Sequence, residues 1–366
     1  MERSPDPVRD EEGGARTGTI GVAVVGAGYW GPNLIRSFEG SGRSTLRWVV
    51  DTDTARLKRV EELYPGVGIS TGVEAALSDP LTRALVIATP ATTHFELAHR
   101  AMDGGKDLFI EKPLTTSSRQ SALLVERAEA CGIVLMVGHV FLYNEAVRAV
   151  KEHIEGLGRI YYVSMTRTNP GPIRSDVNVA WDLLPQDLSI AQYWLEADPL
   201  SVTAHGGAWL TSGREDALFA TATYPGQTLV HLHCSWLHPT KTRKITIVGS
   251  RGMLEFDDIS PDQPIRIFKS PQELGRGEEW FPTSFLGFQS VARSSVLTAP
   301  PLPRTEPLRL ECEHFLDCVE TRARPFSSGH LSVRIARVIE AINESARTNG
   351  EEVTVLGGGS TPGADE

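Results

Sequence analysis

A hexapeptide, Gly26-Ala27-Gly28-Tyr29-Trp30-Gly31, follows the apolar run 20–25, and a carboxylate, Asp51, closes a second apolar run at 46–50. In such a unit Gly26 permits a tight turn, Gly28 lets the backbone approach a pyrophosphate without a Cβ in the way, and Gly31 lets helix and strand pack closely. The phosphates would sit on the N-terminus of the helix expected over 30–38, where free N–H groups and the dipole favour negative charge. Asp51 lies at the offset of about 20 residues at which a carboxylate accepts the ribose hydroxyls of an adenosine. It would also repel a 2′-phosphate. These residues point to NAD as cofactor in preference to NADP. A purely structural βαβ turn would carry the same glycines, and the Asp51 offset is what speaks against it.

A second chemical signal is Glu111-Lys112-Pro113, placed directly after the apolar run 108–110. An ammonium at the carboxyl end of a parallel strand, beside a glycine-rich turn, can hold an alkoxide oxygen while hydride leaves the adjacent carbon. It can also pass a proton where burial lowers its pKa. Pro113 fixes the turn, and Glu111 is expected to orient the cofactor and not to react. The plain alternative is a charged strand exit.

Positioning these groups calls for a parallel sheet with crossover helices, and the pattern supplies one. Strands are expected at 20–25, 46–50, 84–88, 108–110 and 134–137, with helices around 53–63, 92–103 and 117–131. Alternation of strand and helix argues for a doubly wound, Rossmann-type α/β domain over 19–140. Beyond it come a helix at 145–154, a long strand at 160–167, a helix at 182–195 and alternating runs at 201–208, 218–224, 229–236, 243–248 and 253–256. Turn signals such as Pro225-Gly226 separate these runs, which predicts an α+β domain over 141–356 with a large open mixed or antiparallel sheet. Late helices at 310–320 and 331–348 close the fold. Residues 1–18 and 357–366 combine Pro, Gly and charge with few large apolar side chains, so both are expected to be disordered tails.

With 366 residues, two domains are the default expectation. The 36 basic residues against 46 acidic ones give a net charge of −10, which leaves no electrostatic footprint for nucleic acid or an anionic membrane. Cys131, Cys234, Cys312 and Cys318 fit neither a disulfide framework nor metal spacing, and are expected to be buried reduced thiols. His231-x-His233 alternates with apolar residues on a strand, with Cys234 directed to the opposite face. The pair is expected on a sheet face, and no metal site is expected. No apolar stretch reaches membrane length, and the N-terminus lacks the basic-then-apolar order of a signal peptide, so a cytoplasmic location is expected.

The ordered set Gly26-x-Gly28-x-x-Gly31, Thr89-Pro90 with His94, Gly105-Lys106 leading to Glu111-Lys112-Pro113, and Gly138-His139 resembles the glucose-fructose oxidoreductase, inositol dehydrogenase and MocA family across 19–355. Trp181-Asp182-x-x-Pro185-x-Asp187 and Ser235-Trp236 with Pro239-x-Lys241-x-Arg243 resemble its branch that oxidises sugar nucleotides at C3 and the antibiotic-sugar relatives. The resemblance implies a sugar dehydrogenase that makes a ketone suited to transamination. It implies a cofactor set of Gly26, Gly28, Tyr29, Trp30, Gly31, Asp51, Thr89, Pro90, His94, Glu111, Lys112, Arg167 and Trp181. His94 is equally readable as an ordinary helix-start residue, and His139 as a packed interdomain histidine.

Family members place an Asp and a His four residues apart on one helix face, both directed at the substrate hydroxyl. Asp182 fits the first position, although an N-cap would explain it too. The second is Gln186, whose amide cannot titrate. Lys112 then becomes the proton carrier, with Asp182 tuning its charge and Gln186 orienting the substrate. Asn169, Arg174 and Asn178 are candidates for binding the sugar or its phosphates, or form a mobile polar loop. A 3-ketoreductase and a sugar- or NAD-sensing protein without turnover stay open as rivals. The open sheet implies a homodimer or homotetramer.

Overall fold

The computed structural model describes residues 18–260, 262–269, 296–298, 302 and 305–355. Apart from Gly18, the two expected tails lie outside the described residues. Six strands form the first sheet: β1 (Ile20–Val25), β2 (Ser44–Val50), β3 (Gly68–Ser70), β4 (Ala84–Ile87), β5 (Asp107–Glu111) and β6 (Leu135–Gly138). Their order is β3-β2-β1-β4-β5-β6, and every pair is parallel. The helices between them are α1 (Gly31–Glu39), α2 (Thr54–Leu63), α3 (Glu74–Ser78), α4 (His94–Asp103) and α5 (Ser118–Ala130).

The uninterrupted apolar run of β1 follows from its place at the sheet centre. Val22 and Val24 enter one core and Ala23 and Val25 the other, so both faces are covered and no polar position is tolerated. Strand order reverses between β1 and β4, and the loops after them form the crevice in which such sheets bind ligands. Both β3 and α3 were absent from the sequence expectation, because three and five residues are too short to show a period.

The second sheet has nine strands in the order β14-β13-β12-β11-β7-β10-β9-β8-β15. They are β7 (Ile160–Pro170), β8 (Ser201–Gly207), β9 (Ala217–Thr223), β10 (Leu229–Ser235), β11 (Leu237–Gly249), β12 (Gly252–Asp257), β13 (Ile265–Lys269), β14 (Val296–Thr298) and β15 (Val353–Thr354). The β7–β10 pair is parallel and the others are antiparallel, so the sheet is mixed. One face packs against α6 (Glu145–Ile154), α7 (Val179–Leu195) and α9 (Gly329–Arg347). The other face presents Tyr162, Phe219 and Leu229 to solvent. His231 lies on that face, and the His233 ring stacks on Phe219 at 4.4 Å, while Val230, Leu232 and Cys234 point into the core.

Helix α8 (Pro307–Thr321) returns to the first sheet, where Phe315 meets Phe38 and Phe109 edge to face. Helix α9 touches both units, with Val333 in the first-sheet core and Ile335 and Ile339 in the second. Three cysteines are buried as expected, but Cys131 is exposed, because it follows α5 at a turn and not within a packed face. Among the described residues no helix is long and apolar enough to cross a membrane, and no group of three or more His, Cys, Asp or Glu is placed to hold a metal ion.

Candidate active site

The glycine turn is built as the spacing requires. Gly26 has φ +101°, a region glycine alone adopts freely, and a Cβ there would come within 2.7 Å of the Ala88 carbonyl. A Cβ on Gly31 would strike the Gly26 carbonyl, so the start of α1 presses directly on the turn. At Gly28 a Cβ would meet only the Arg56 side chain, which leaves the approach open to a ligand. Asp51 is 7% exposed and is held by two backbone donors, Ala27 N–H at 2.7 Å and Asp53 N–H at 2.8 Å. Arg56 Nη1 stands 3.5 Å from its Oδ2, the oxygen that also accepts from Ala27. An open glycine turn, a helix N-terminus and a fixed carboxylate together fit a dinucleotide.

Trp30 and His94 join this cradle to the end of β5. The Trp30 indole donates to Glu111 Oε1 at 2.7 Å. The His94 ring lies between two carbonyls, Nδ1 at 2.9 Å from Pro113 O and Nε2 at 2.9 Å from Thr89 O. Burial pushes its pKa down, against the pull of those carbonyls. A neutral imidazole has one N–H and can donate to only one of them. His94 thus fixes the Thr89-Pro90 loop relative to Lys112-Pro113, whatever its tautomer.

Across the crevice, α7 supplies the other half. Asn178 is its N-cap, accepting from Trp181 N–H at 3.2 Å, so Asp182 is not needed as a cap. Lys112 Nζ donates to the Asp182 carbonyl at 2.8 Å and lies 3.6 Å from its Oδ1. Pro185, inside the helix, removes an intrahelical donor in this turn. The Asp182 carboxylate also accepts from Arg174 Nη1 at 3.3 Å on Oδ1 and from Trp236 Nε1 at 3.0 Å on Oδ2. One turn on, Gln186 is 7% exposed, and its Oε1 has no hydrogen-bond partner among the described residues.

Arg174 is itself held in a fork by Asp176, at 2.9 and 2.6 Å. Burial pushes the Asp176 carboxyl up, but the Arg174 guanidinium more than offsets it and brings its pKa below the ordinary value. Behind this cluster, His139 is buried with Nε2 2.9 Å from Ser332 Oγ, and burial with the nearby Lys112 charge lowers its pKa to about 3.

Comparison with known proteins agrees with this geometry. A family model described as "Oxidoreductase family, NAD-binding Rossmann fold" matches residues 20–139, and one described as "GFO/IDH/MocA C-terminal domain" matches residues 147–255. The chain belongs to the Gfo/Idh/MocA family. It is an NAD-dependent oxidoreductase. A scyllo-inositol 2-dehydrogenase (NAD+) of Bacillus subtilis is 31% identical over 201 residues, 51% of this chain and 57% of that protein. A UDP-N-acetylglucosamine 3-dehydrogenase of Acidithiobacillus ferrooxidans is 29% identical over 326 residues, 87% of this chain and 93% of that one. The solved structure of GenD2 from gentamicin A biosynthesis, in complex with NAD, has a TM-score of 0.77 at 22% identity, covering 95% of this chain and 99% of that chain, and shows the shared fold.

Within this Gfo/Idh/MocA chain, Lys112 and Arg174 meet at the Asp182 carboxylate, Gln186 lies one helical turn past Asp182, Trp181 lines a small cavity with Pro113, His139 and Pro185, and Tyr29 stands 93% exposed at the glycine turn. Other candidates are committed elsewhere. The Arg167 guanidinium is buried against Asp187 at 2.6 Å and covers the Phe141 ring at 4.5 Å. Asn178 is spent on its cap and on Glu215 and Asn343. Asn169 donates to Gly171 O at 2.7 Å, and its Oδ1 is unpartnered. The roles of Trp236 and Asp176 were not foreseen. Trp236 depends on a long-range partner, Asp182, whereas Arg174 and Asp176, two residues apart before a helix, gave only a weak local signal.

Proposed function

We propose that this chain oxidises a secondary ring hydroxyl, at C3 of a nucleotide sugar or an aminoglycoside-type sugar, to a ketone. NAD, when bound, supplies the hydride acceptor. The observation that carries the reading is the convergence of Lys112 and Asp182 at the crevice, with the unpartnered Gln186 amide oxygen one turn away. Lys112, as the neutral amine, takes the proton of the substrate hydroxyl while hydride leaves the adjacent carbon, and the Asp182 carboxylate stabilises the ammonium so formed. Gln186 Oε1 accepts from a neighbouring hydroxyl and orients the ring. Arg174 faces the same space and suits a phosphate or other anion on the substrate.

A UDP-N-acetylglucosamine 3-dehydrogenase and a gentamicin-pathway protein among the relatives favour this substrate class. Because Gln186 replaces a titrating histidine, a second reading is the reverse reaction, a 3-ketoreductase with Lys112 as proton donor. The Asp51 carboxylate, which disfavours a 2′-phosphate, supports the oxidative direction with NAD. We further propose that the exposed face bearing Tyr162, Phe219 and Leu229 is covered by a second subunit, since contiguous apolar sheet faces rarely stay wet.

The deciding experiment is a panel of nucleotide sugars and aminoglycoside intermediates assayed in both directions. NADH formation with one of them is the expected result. Reduction of a 3-keto sugar without measurable oxidation would favour the second reading, and no turnover with specific binding would favour a sensing protein.

A further inference from the structure

Helix α7 carries a carbonyl that its own backbone cannot satisfy. Pro185 has no N–H, so the Trp181 carbonyl, four residues earlier, lacks its intrahelical donor. A carbonyl so placed calls for a donor from outside the helix. Both ends of the missing bond, Trp181 and Pro185, line a cavity of about 10 Å3, and Pro113, His139 and Ser332 line it with them.

His139, 1% exposed, brings a second unspent group to the same cavity. Its Nε2 lies 2.9 Å from Ser332 Oγ, whereas its Nδ1 has no hydrogen-bond partner among the described residues. Burial keeps the ring neutral, with one N–H and one bare lone pair. If Nε2 donates to Ser332, Nδ1 needs a donor; if Ser332 donates to Nε2, Nδ1 carries the hydrogen and needs an acceptor. Either group left unmade in the interior costs more than a typical hydrogen bond returns. Water donates twice and accepts twice, so one molecule serves Nδ1 in both tautomers and the Trp181 carbonyl as well.

We propose that this cavity is the binding site of a single water molecule that bridges His139 Nδ1 and the Trp181 carbonyl, and that His139, acting through it, is a positioning residue for α7. The volume suits one water and excludes any organic ligand. The polar groups decide that the site is wet. A cavity walled by aliphatic groups alone stays dry, and most of this wall is proline and aliphatic side chain, but the two unspent groups give a water the partners it needs. The bridge joins separate parts of the fold. His139 follows β6 of the first sheet, Ser332 belongs to α9, and Trp181 precedes Asp182, whose carbonyl accepts from Lys112. The water thus fixes the first turns of α7 against the end of the sheet that carries Lys112.

This inference is independent of the proposed reaction, and its test uses no substrate. A high-resolution crystal structure of the intact protein should show one water at about 2.7–3.2 Å from both His139 Nδ1 and the Trp181 carbonyl oxygen. Two variants read the positioning role. In His139→Asn the amide keeps a polar atom where Nδ1 stood but is too short for Ser332, whereas in His139→Gln it reaches Ser332 and leaves the Nδ1 position without a polar atom. Backbone hydrogen exchange over 179–188, followed by mass spectrometry and referred to that of β1, should run about fivefold faster in His139→Gln than in His139→Asn, the worth of one net hydrogen bond. A dry cavity in the wild-type structure, or a protein atom bonded to His139 Nδ1, overturns the water site even if neither variant folds. Equal exchange in the two variants, or faster exchange in His139→Asn, overturns the positioning role.

Discussion

At the scale of single residues the proposed reaction divides labour between a group that moves a proton and groups that hold things still. Lys112 touches Asp182 through both carbonyl and carboxylate, and neither Gln186 nor the buried His139, with its pKa near 3, can titrate in the working range. Lys112→Ala is expected to lower turnover by about a hundredfold or more while NAD still binds, as loss of a general acid/base group does. Steady-state kinetics beside calorimetric NAD binding checks this, and near-normal turnover would remove Lys112 from the chemistry. Gln186→His is the complementary change. It places a group titrating around pH 6.5 next to the reacting hydroxyl, so the variant should gain an ionisation near neutrality that the wild type lacks. Asp51→Ser tests the other end of the site. With its ribose acceptor gone and the neighbouring Arg56 retained, the expected preference for NAD(H) over NADP(H) should narrow, which binding measurements on both cofactors would show.

At the scale of elements, what could be read in advance was what is local. The glycine turn, Asp51 and Lys112 each sit at a fixed offset from a strand that reads as a mainly apolar run, and such runs are visible without knowledge of the rest of the chain. Helix α7 was expected from 182, but it starts at Val179 because Asn178 caps it. That shift relieves Asp182 of capping and leaves its carboxylate to Lys112, Arg174 and Trp236. Strand β11 was expected from 243 and starts at Leu237, where an irregular register against β7 hides its alternation. The burial of Glu311 was invisible, since a glutamate on an amphipathic helix reads as a solvated position until that helix is seen folded back on the first sheet. The loop before α7 gives a prediction at this scale. Asp176 holds Arg174 in a fork, so Asp176→Ala frees the arginine. KM for the sugar should rise about tenfold, the size of a lost charge-assisted hydrogen bond, with turnover changed much less. An unchanged KM would show that the loop does not position substrate.

At the scale of the whole molecule, the site lies where two sheets and two returning helices meet, and the polar groups buried there make stability depend on pH. His139, 1% exposed, is joined through Ser332 to α9, and its folded pKa of about 3 lies below the unfolded value of about 6.5. His94 is lowered in the same direction. Below pH 6.5 the unfolded chain therefore binds more protons at these positions than the folded one, so stability rises with pH there and is lost as the pH falls from about 6.5 toward 3. Each group contributes a slope approaching 1.4 kcal/mol per pH unit once its unfolded form is protonated. Between pH 6.5 and 5, loss through His139 alone should thus be of the order of 1 to 2 kcal/mol. His139→Gln, which cannot charge, should unfold with a shallower dependence on acid than the wild type even if its stability at pH 8 is lower. Denaturant unfolding of the two proteins at a series of pH values measures the difference directly. Parallel curves would mean that His139 is not held neutral in the folded protein.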